Sequence, residues 1–495
     1  MGEEQAELHA LLAALSRIDP DAYVVGGAVR DRVAGVVPDD VDAVLSVPAE
    51  EASEALAAET GARLVVMDDS RGHVRLVYSS PDDTSPIWLD LTSHGGDLAA
   101  DLSRRDFTIN SMAVPVAAWP GNDFADRLID PFGGIKDLER KTLRETAPGN
   151  VAADPVRVLR AARFATRFGL ELEPDTEDAV QLAAPRLTGV SAERVREEIY
   201  AIFGSRDAMK AVKIMDRTGA LSAVFPELDA ARGVEQPPNH HYWDVFEHCV
   251  RTVGKADSIL DGDRRRACAD LAPLPWREEF DAYFDETVGD GQKRSTLLKM
   301  AALLHDIAKP ETKSLDEDGR TRFLGHGERG GEIVREVLGR LRCSRRVVDH
   351  VSLMVQEHLR PGQISSGREL PGRRAVFRYY RDLGNSAKDT VFLSLSDYLA
   401  ARGPRLEVED WQGFCRVADV ILNPAFEPED SKASLLLNGN QLQRHFGLRP
   451  GPLIGRLLGL LREAEATGRI QTQDEAIKML RSEISRSESR RGRTD

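Results

Sequence analysis

The chain is poor in cysteine: only four occur in 495 residues. Cys249, Cys268, Cys343 and Cys415 stand apart with no CxxC pairing, which argues against a disulfide framework or a zinc ribbon. Long hydrophobic runs are missing as well. No stretch approaches the roughly 18 apolar residues of a membrane span, and the start, MGEEQAELHA, has no basic segment followed by an apolar one. The expectation is a cytoplasmic protein with no membrane partner. Positive charge is in deficit, with 66 Lys and Arg against 81 Asp and Glu for a net charge of −15. That excludes a wholly basic coat for unspecific nucleic-acid binding but leaves room for a local basic groove. The glycine pair Gly26-Gly27 belongs to neither of two phosphate-binding signatures, the Walker A GK[ST] and the GxGxxG turn.

What is present divides the chain. Strand-like runs YVVGG, DAVLSV, ARLVVM, VRLVYS and IWLDL follow a helix expected over residues 4–17, an order that predicts a small mixed sheet flanked by helices. From about Asp137 the apolar spacing turns helical and stays so. The fold class is therefore α+β: a small mixed sheet with helices, followed by all-α domains. The Pro pair in EQPPNHHYWD and the stretch NPAFEPEDSKAS mark two boundaries. Residues 257–297 are charged and match no recognisable motif.

The segment YVVGGAVRDRVAGVVPDDVDAVLSV (23–47) concentrates chemistry. Alternate residues of a strand share a face, so Asp40 and Asp42 would project together and could share a hard divalent cation. Asp90 in IWLDL could add a third carboxylate from a neighbouring strand, enough for one or two Mg²⁺ ions. Gly26-Gly27 directly after an apolar strand lets backbone N–H groups approach a phosphate. Further on, Asp154 before Pro155 predicts an N-cap and a helix start. On that helix Arg157, Arg160 and Arg167 would fall near one face, with Leu159 and Phe164 on another.

These stretches, taken with RRDFTINSMA (104–113), DPFGGIKDL (130–138), DPVRVLRAARFATRFGLEL (154–172) and SAERVREEI (191–199), resemble the class II tRNA nucleotidyltransferases and bacterial poly(A) polymerases, of the DNA polymerase β-like superfamily. The resemblance implies a polymerase β-like head in which Asp40 and Asp42 bind catalytic Mg²⁺ and Gly26, Gly27 and Arg30 hold the triphosphate. It implies that Arg105, Asp106 and Asn110 contact the incoming nucleotide and that Asp154 and Arg157 read its base, with Arg160 and Arg163 joining the nucleotide-binding set. The family's usual EDxxR has Ala153 at its first position here. The implied reaction adds CCA to the tRNA 3′ end from CTP and ATP, releasing pyrophosphate. Only LTSHGGDLAADLS separates Asp90 from Arg104, a short segment that in this family goes with enzymes stopping after CC. A poly(A) polymerase acting on general RNA ends shares the same motifs. An alternative of another class is a phosphohydrolase whose N-terminal half only binds nucleotide or RNA.

Seven of the eleven histidines lie between residues 240 and 358. The order His248, His305-Asp306 in LLHDIAKP, and Asp397 in SLSDYLA resembles an HD domain, and those four residues are the implied metal ligands. Such donors suit Mn, Ni, Co or Mg, and His326 and His358 could complete a second site. His350 reads equally as a core histidine. The expected layout is a head over 1–140, a helical neck over 141–235, an HD domain over 236–425, a helical tRNA-binding tail over 426–480 and a disordered end over 481–495. The sequence leaves the oligomeric state open.

Overall fold

The protein was analysed as a computed structural model, which describes residues 3–38, 40–68, 73–78, 87–93, 97–119, 121, 123–239, 241–364, 369–423 and 436–491. All five expected strands form. With a sixth they make one sheet: β1 (Tyr23–Val25), β2 (Val41–Leu45), β3 (Arg63–Asp68), β4 (His73–Tyr78), β5 (Ile87–Ser93) and β6 (Ala113–Pro115), in the order β3-β4-β5-β2-β1-β6. Only β2 and β5 pair in parallel; the other neighbours are antiparallel. Alternation sets the two faces. Val74, Leu76, Leu89 and Leu91 are buried on one, while Arg75, Trp88 and Asp90 lie on the other. The Ala49–Thr60 helix packs against β3, β4 and β5, burying Ala52 and Leu56.

The chain divides into two compact units. One runs through Ser205 and includes Lys210–Val224, so sheet and neck helices share a unit; the other takes Arg206–Met209 and Phe225 onward. The division falls upstream of EQPPNHHYWD. The expected boundary over 424–434 lies outside the described residues.

Beyond Asp137 the chain is helical, but not without interruption. Three small ladders break it: Thr142–Leu143 with Glu171–Leu172, Thr287–Gly289 with Gln292–Lys293, and Lys313–Leu315 with Thr321–Phe323. Residues 257–297 acquire a role in packing. The Glu279–Asp285 helix places Phe280 and Phe284 with Trp276 against Phe392, ring centroids 5.0–5.7 Å apart, in edge-on and stacked arrangements. The C-terminal helices Pro452–Ala466 and Gln473–Arg491 close a small core around Leu442, Leu457, Leu461 and Leu480. The last helix continues to Arg491, so the disorder expected from 481 is not what these residues adopt; Ile484 still packs on that core. Residues 492–495 lie outside the described set.

Candidate active site and metal cluster

The parallel register of β2 and β5 sets Asp42 directly beside Asp90. Asp40 is exposed and sits one residue before β2, while Asp42 is the strand's second residue, so the pair straddles the strand's start. Burial pushes the Asp42 carboxyl up to about 6; Arg105 opposes that rise, while Asp40 and Asp90 add to it. Asp90 is answered by Arg75, the residue opposite it on β4, through Nε and Nη2 contacts of 2.6 Å each.

Gly26 is required by the fold at this point. Its φ is +71°, and a Cβ there would fall 2.6 Å from Arg105 Nη1 and 3.5 Å from Asp42 Oδ2. Only a residue without a side chain lets the Arg105 guanidinium lie beside Asp42. Gly27 opens the short Gly27–Val33 helix immediately after. Arg105 is steadied by Asp101 at 3.1–3.2 Å.

Arg30 sits differently from a residue waiting for phosphate. It is buried, donating to Asn110 Oδ1 (2.6 Å) and Asp31 Oδ1 (2.8 Å), with its guanidinium 4.8 and 4.6 Å from the ring centroids of Phe164 and Phe168. Asn110 in turn donates to Asp106 Oδ1 at 2.8 Å, and Asp106 Oδ2 lies 2.8 Å from Arg160 Nε. Burial alone would push the Asp106 carboxyl up, but Arg160, Asn110 and the Phe107 N–H together hold it below the usual range. Arg30, Asn110, Asp106 and Arg160 thus form one braced chain behind the glycines.

DPFGGIKDL supports that chain. Asp130 accepts from the N–H groups of Gly134 (2.7 Å) and Ile135 (2.9 Å), and Asp137 accepts from the Thr108 hydroxyl at 2.6 Å. A Cβ on Gly134 would collide with the Thr108 carbonyl. The motif fixes the RRDFTIN turn from behind.

The helix expected from Asp154 begins later, at Arg157, and runs to Phe168. Val156 takes the N-cap place of this helix with no side-chain cap, and Asp154 closes the preceding Asn150–Ala153 turn. It pairs with Arg194 at 2.7 Å. Arg157 donates to the carbonyls of Asn150 (3.1 Å) and Arg104 (2.9 Å), tying this helix to the RRD turn. The arginines that share its surface end on carboxylates: Arg163 on Glu198 (2.7 Å) and Arg167 on Asp31 (3.0 Å).

In the second unit, His248, His305, Asp306, His326, His358 and Asp397 converge on one cluster. His248 Nε2 is 3.0 Å from both His305 Nε2 and Asp397 Oδ1. Asp306 turns Oδ2 toward His305 (3.2 Å) and His248 (3.4 Å), and Oδ1 toward His326 (3.4 Å) and His358 (3.7 Å). The two histidines expected to form a separate site therefore share Asp306 with the first four residues. Among the described residues, sets of three or more candidate ligand atoms within 4.8 Å of one another occur only here. His350 stays out, bonded to the Ser386 hydroxyl at 2.8 Å in the core.

The cluster fits a divalent cation. His305, His326 and His358 each donate Nδ1–H to a backbone carbonyl, of Ala302 (2.9 Å), Phe323 (2.6 Å) and Val355 (2.7 Å), which fixes the rings and aims every Nε2 inward. Neither oxygen of Asp306 makes a well-directed hydrogen bond, although Lys309 Nζ lies 2.6 Å from Oδ2. Burial would push His305 down, yet Asp306 and Asp397 hold it up at about 10. Burial and the neighbouring His305 push His358 down to about 3. Buried carboxylates packed against imidazoles demand positive charge.

The sequence does not single out two positions that the structure brings to these sites, Arg75 and Lys309. Lys309 follows HD in the same LLHDIAKP stretch and also donates to Gln236 at 2.7 Å. Arg75 carries no readable signal, because its role depends on the β4–β5 register.

Residues 22–144 match the family described as the poly A polymerase head domain, 169–232 the probable RNA and SrmB-binding site of polymerase A, and 245–402 the HD domain. The chain is 34% identical to the A-adding tRNA nucleotidyltransferase of Deinococcus radiodurans, over 92% of this chain and 94% of that protein. It is 32% identical to the CC-adding tRNA nucleotidyltransferase of Thermus thermophilus, over 92% of each. The fold matches the Thermotoga maritima CCA-adding enzyme solved in complex with tRNA, with a TM-score of 0.60 and 21% identity across 98% of this chain and 96% of that one. The chain belongs to the tRNA nucleotidyltransferase family, in the class that joins a poly(A) polymerase head to an HD domain. No described helix is long and apolar enough to cross a membrane.

Proposed function

We propose that the protein extends the 3′ end of tRNA without a template, joining C or A from CTP or ATP to the terminal ribose hydroxyl and releasing pyrophosphate. The observation that carries this reading is the register of Asp42 with Asp90, with Gly26 and Arg105 packed against Asp42. Asp40 and Asp42 are the residues to hold Mg²⁺, and Asp90 is the adjoining third carboxylate. Bound there, the cation would favour the hydroxyl as nucleophile and neutralise charge on the phosphates. The Gly27 N–H and the Arg105 guanidinium are proposed to take the triphosphate, with the Gly26 N–H held by the Met112 carbonyl at 3.2 Å. Arg30, Asn110, Asp106 and Arg160 hold that wall in place. Asp154 and Arg157 are proposed to read the base, Asp154 with Arg194 at its side. The C-terminal helices are proposed to grip the tRNA body.

The test extends transcripts ending before CCA, after C and after CC with labelled CTP or ATP, resolving products to single nucleotides. Addition of C, A or both supports the reading; no extension of any transcript removes it. A narrower reading, addition of CC alone, is favoured by the connector between β5 and the Leu98–Ser103 helix, only residues 94–97. It requires extension to halt at CC.

We further propose that the HD cluster holds divalent transition metal, or Mg²⁺, for hydrolysis of a phosphomonoester or cyclic phosphate. His248, His305, Asp306 and Asp397 form one half of the cluster, and His326 and His358 the other, with Asp306 shared. Metal bound there would supply a hydroxide nucleophile near neutral pH. Metal analysis after exhaustive dialysis tests it, with no bound or rebindable metal as the contrary result.

A further inference from the structure

The open face of the sheet continues past the carboxylates. On β3, β4 and β5 the register aligns Val65 with Arg75 and Arg75 with Asp90, and Arg63 with Val77 and Val77 with Trp88. Directly paired residues share a face, so Arg63, Val65, Arg75, Val77 and Trp88 spread beside Asp90 as one apron. Trp88 is 44% exposed and Val65 38%. An indole is large and amphipathic, and this one leaves nearly half its surface to solvent on the face that carries Asp90. It is also braced from one side: the Arg75 guanidinium lies 4.9 Å from the Trp88 ring centroid while gripping Asp90.

Position decides which substrate this apron faces. In the strand order β3-β4-β5-β2-β1-β6, Asp42 on β2 stands between two flanks. Gly26, Gly27 and Arg105 lie toward β1, where phosphates fit. Trp88 lies on the other flank, two strand residues from Asp90, about 7 Å along β5, and Arg75 stands across from Asp90 on β4. In phosphoryl transfer the attacking and leaving oxygens are roughly in line across the phosphorus. If pyrophosphate departs on the glycine flank, the attacking 3′-hydroxyl arrives from the tryptophan flank. Exposed aromatic rings interleaved with arginines are the usual platform for single-stranded RNA.

We infer that Trp88, backed by Arg75, is the stacking shelf for the 3′-terminal base of the acceptor RNA, a positioning residue that sets where the hydroxyl lies. This rests on the nucleotidyl-transfer reading. It explains how one face could accept ends of different sequence, since every base offers a π-face.

The experiment compares wild-type protein with Trp88→Ala and Trp88→Phe on an acceptor-stem minihelix, measuring KM for RNA and for nucleotide separately. A second measurement uses the same minihelix with 2-aminopurine as its terminal base, read by fluorescence without nucleotide. Trp88→Ala should raise the RNA KM about tenfold, as expected for losing one base–aromatic stack, with the nucleotide KM within about twofold. Trp88→Phe should restore most of the affinity. Quenching of 2-aminopurine should occur with wild type and be lost in Trp88→Ala. An unchanged RNA KM and unchanged quenching in Trp88→Ala would overturn the shelf while transfer itself continued. A rise in nucleotide KM instead would also overturn it, by giving Trp88 to the other substrate. Absence of transfer by the wild type is a separate outcome, which removes the functional reading beneath.

Discussion

Asp42 is a half-buried carboxylate and Asp306 a fully buried one, and their surroundings differ in kind. Asp42 sits at the lip of an open sheet face, with Arg105 near it and two further carboxylates raising its proton affinity. Asp306 is enclosed by helices, with four imidazoles around it and Lys309 at 2.6 Å. Oxygen-only donors at a wet lip suit a hard cation that arrives with its substrate and keeps part of its water. Imidazoles fixed through their Nδ1–H groups in a closed pocket suit a resident transition metal. The same residue type therefore serves two chemistries, and what separates them is exposure and the company each carboxylate keeps.

The largest expected effect breaks this comparison on the head side. Asp42→Ala should slow nucleotide addition by on the order of a thousandfold or more, because a metal contact worth several kcal/mol is lost. HD metal content, measured on the same sample, should not change. On the other side, Asp306→Asn should strip metal from the HD cluster, read by elemental analysis, and leave addition within about twofold. His358→Ala sharpens the picture by half: loss of only part of the bound metal would fit a site divided across Asp306.

Smaller effects concern the supports. Arg30→Ala leaves Asn110 Oδ1 without its buried donor and Asp31 with Arg167 alone, and should lower the stability of the N-terminal unit by about 2 kcal/mol, measured by denaturant unfolding. The smallest effect contrasts a surface pair with these buried ones. The Arg206 hydrogen bond, with the Arg264 and Asp263 N–H groups, holds the Asp261 carboxyl down at about 2 against an upward push from burial. Its folded value is depressed, so its stabilisation is present above the ordinary value near 3.8 and is lost as pH falls through about 2. Asp261→Asn should cost under about 1 kcal/mol at pH 7, with the difference from wild type vanishing in acid, as thermal melts at several pH values would reveal.

Much of the fold and of both sites is legible in the amino-acid sequence. The strand runs, Asp40-x-Asp42, the glycine pair and the ordered His, His-Asp and Asp set are local patterns, and local patterns survive in sequence. Arg30 reads as a phosphate ligand because it follows two glycines, while the folding of Phe164 and Phe168 over its guanidinium, from far along the chain, is not legible there. Asp154 before Pro155 has the form of a cap, but the Asn150–Ala153 turn upstream and Arg194 take its backbone and side chain elsewhere. His326 and His358 carry a metal signal, yet their union with His305 depends on both oxygens of one carboxylate, which spacing does not encode. Arg75 and Trp88 depend wholly on register, the property a single chain conceals most completely.

The central claim is that nucleotidyl transfer belongs to the head carboxylates and that the HD cluster is separate from it. The most direct measurement follows addition of labelled CTP or ATP to tRNA lacking its 3′ end, with Mg²⁺, by wild type, Asp42→Ala and Asp306→Asn side by side. The account predicts extension by wild type and Asp306→Asn and none by Asp42→Ala. Extension that persists in a folded Asp42→Ala protein, or that disappears with Asp306→Asn alone, would contradict it.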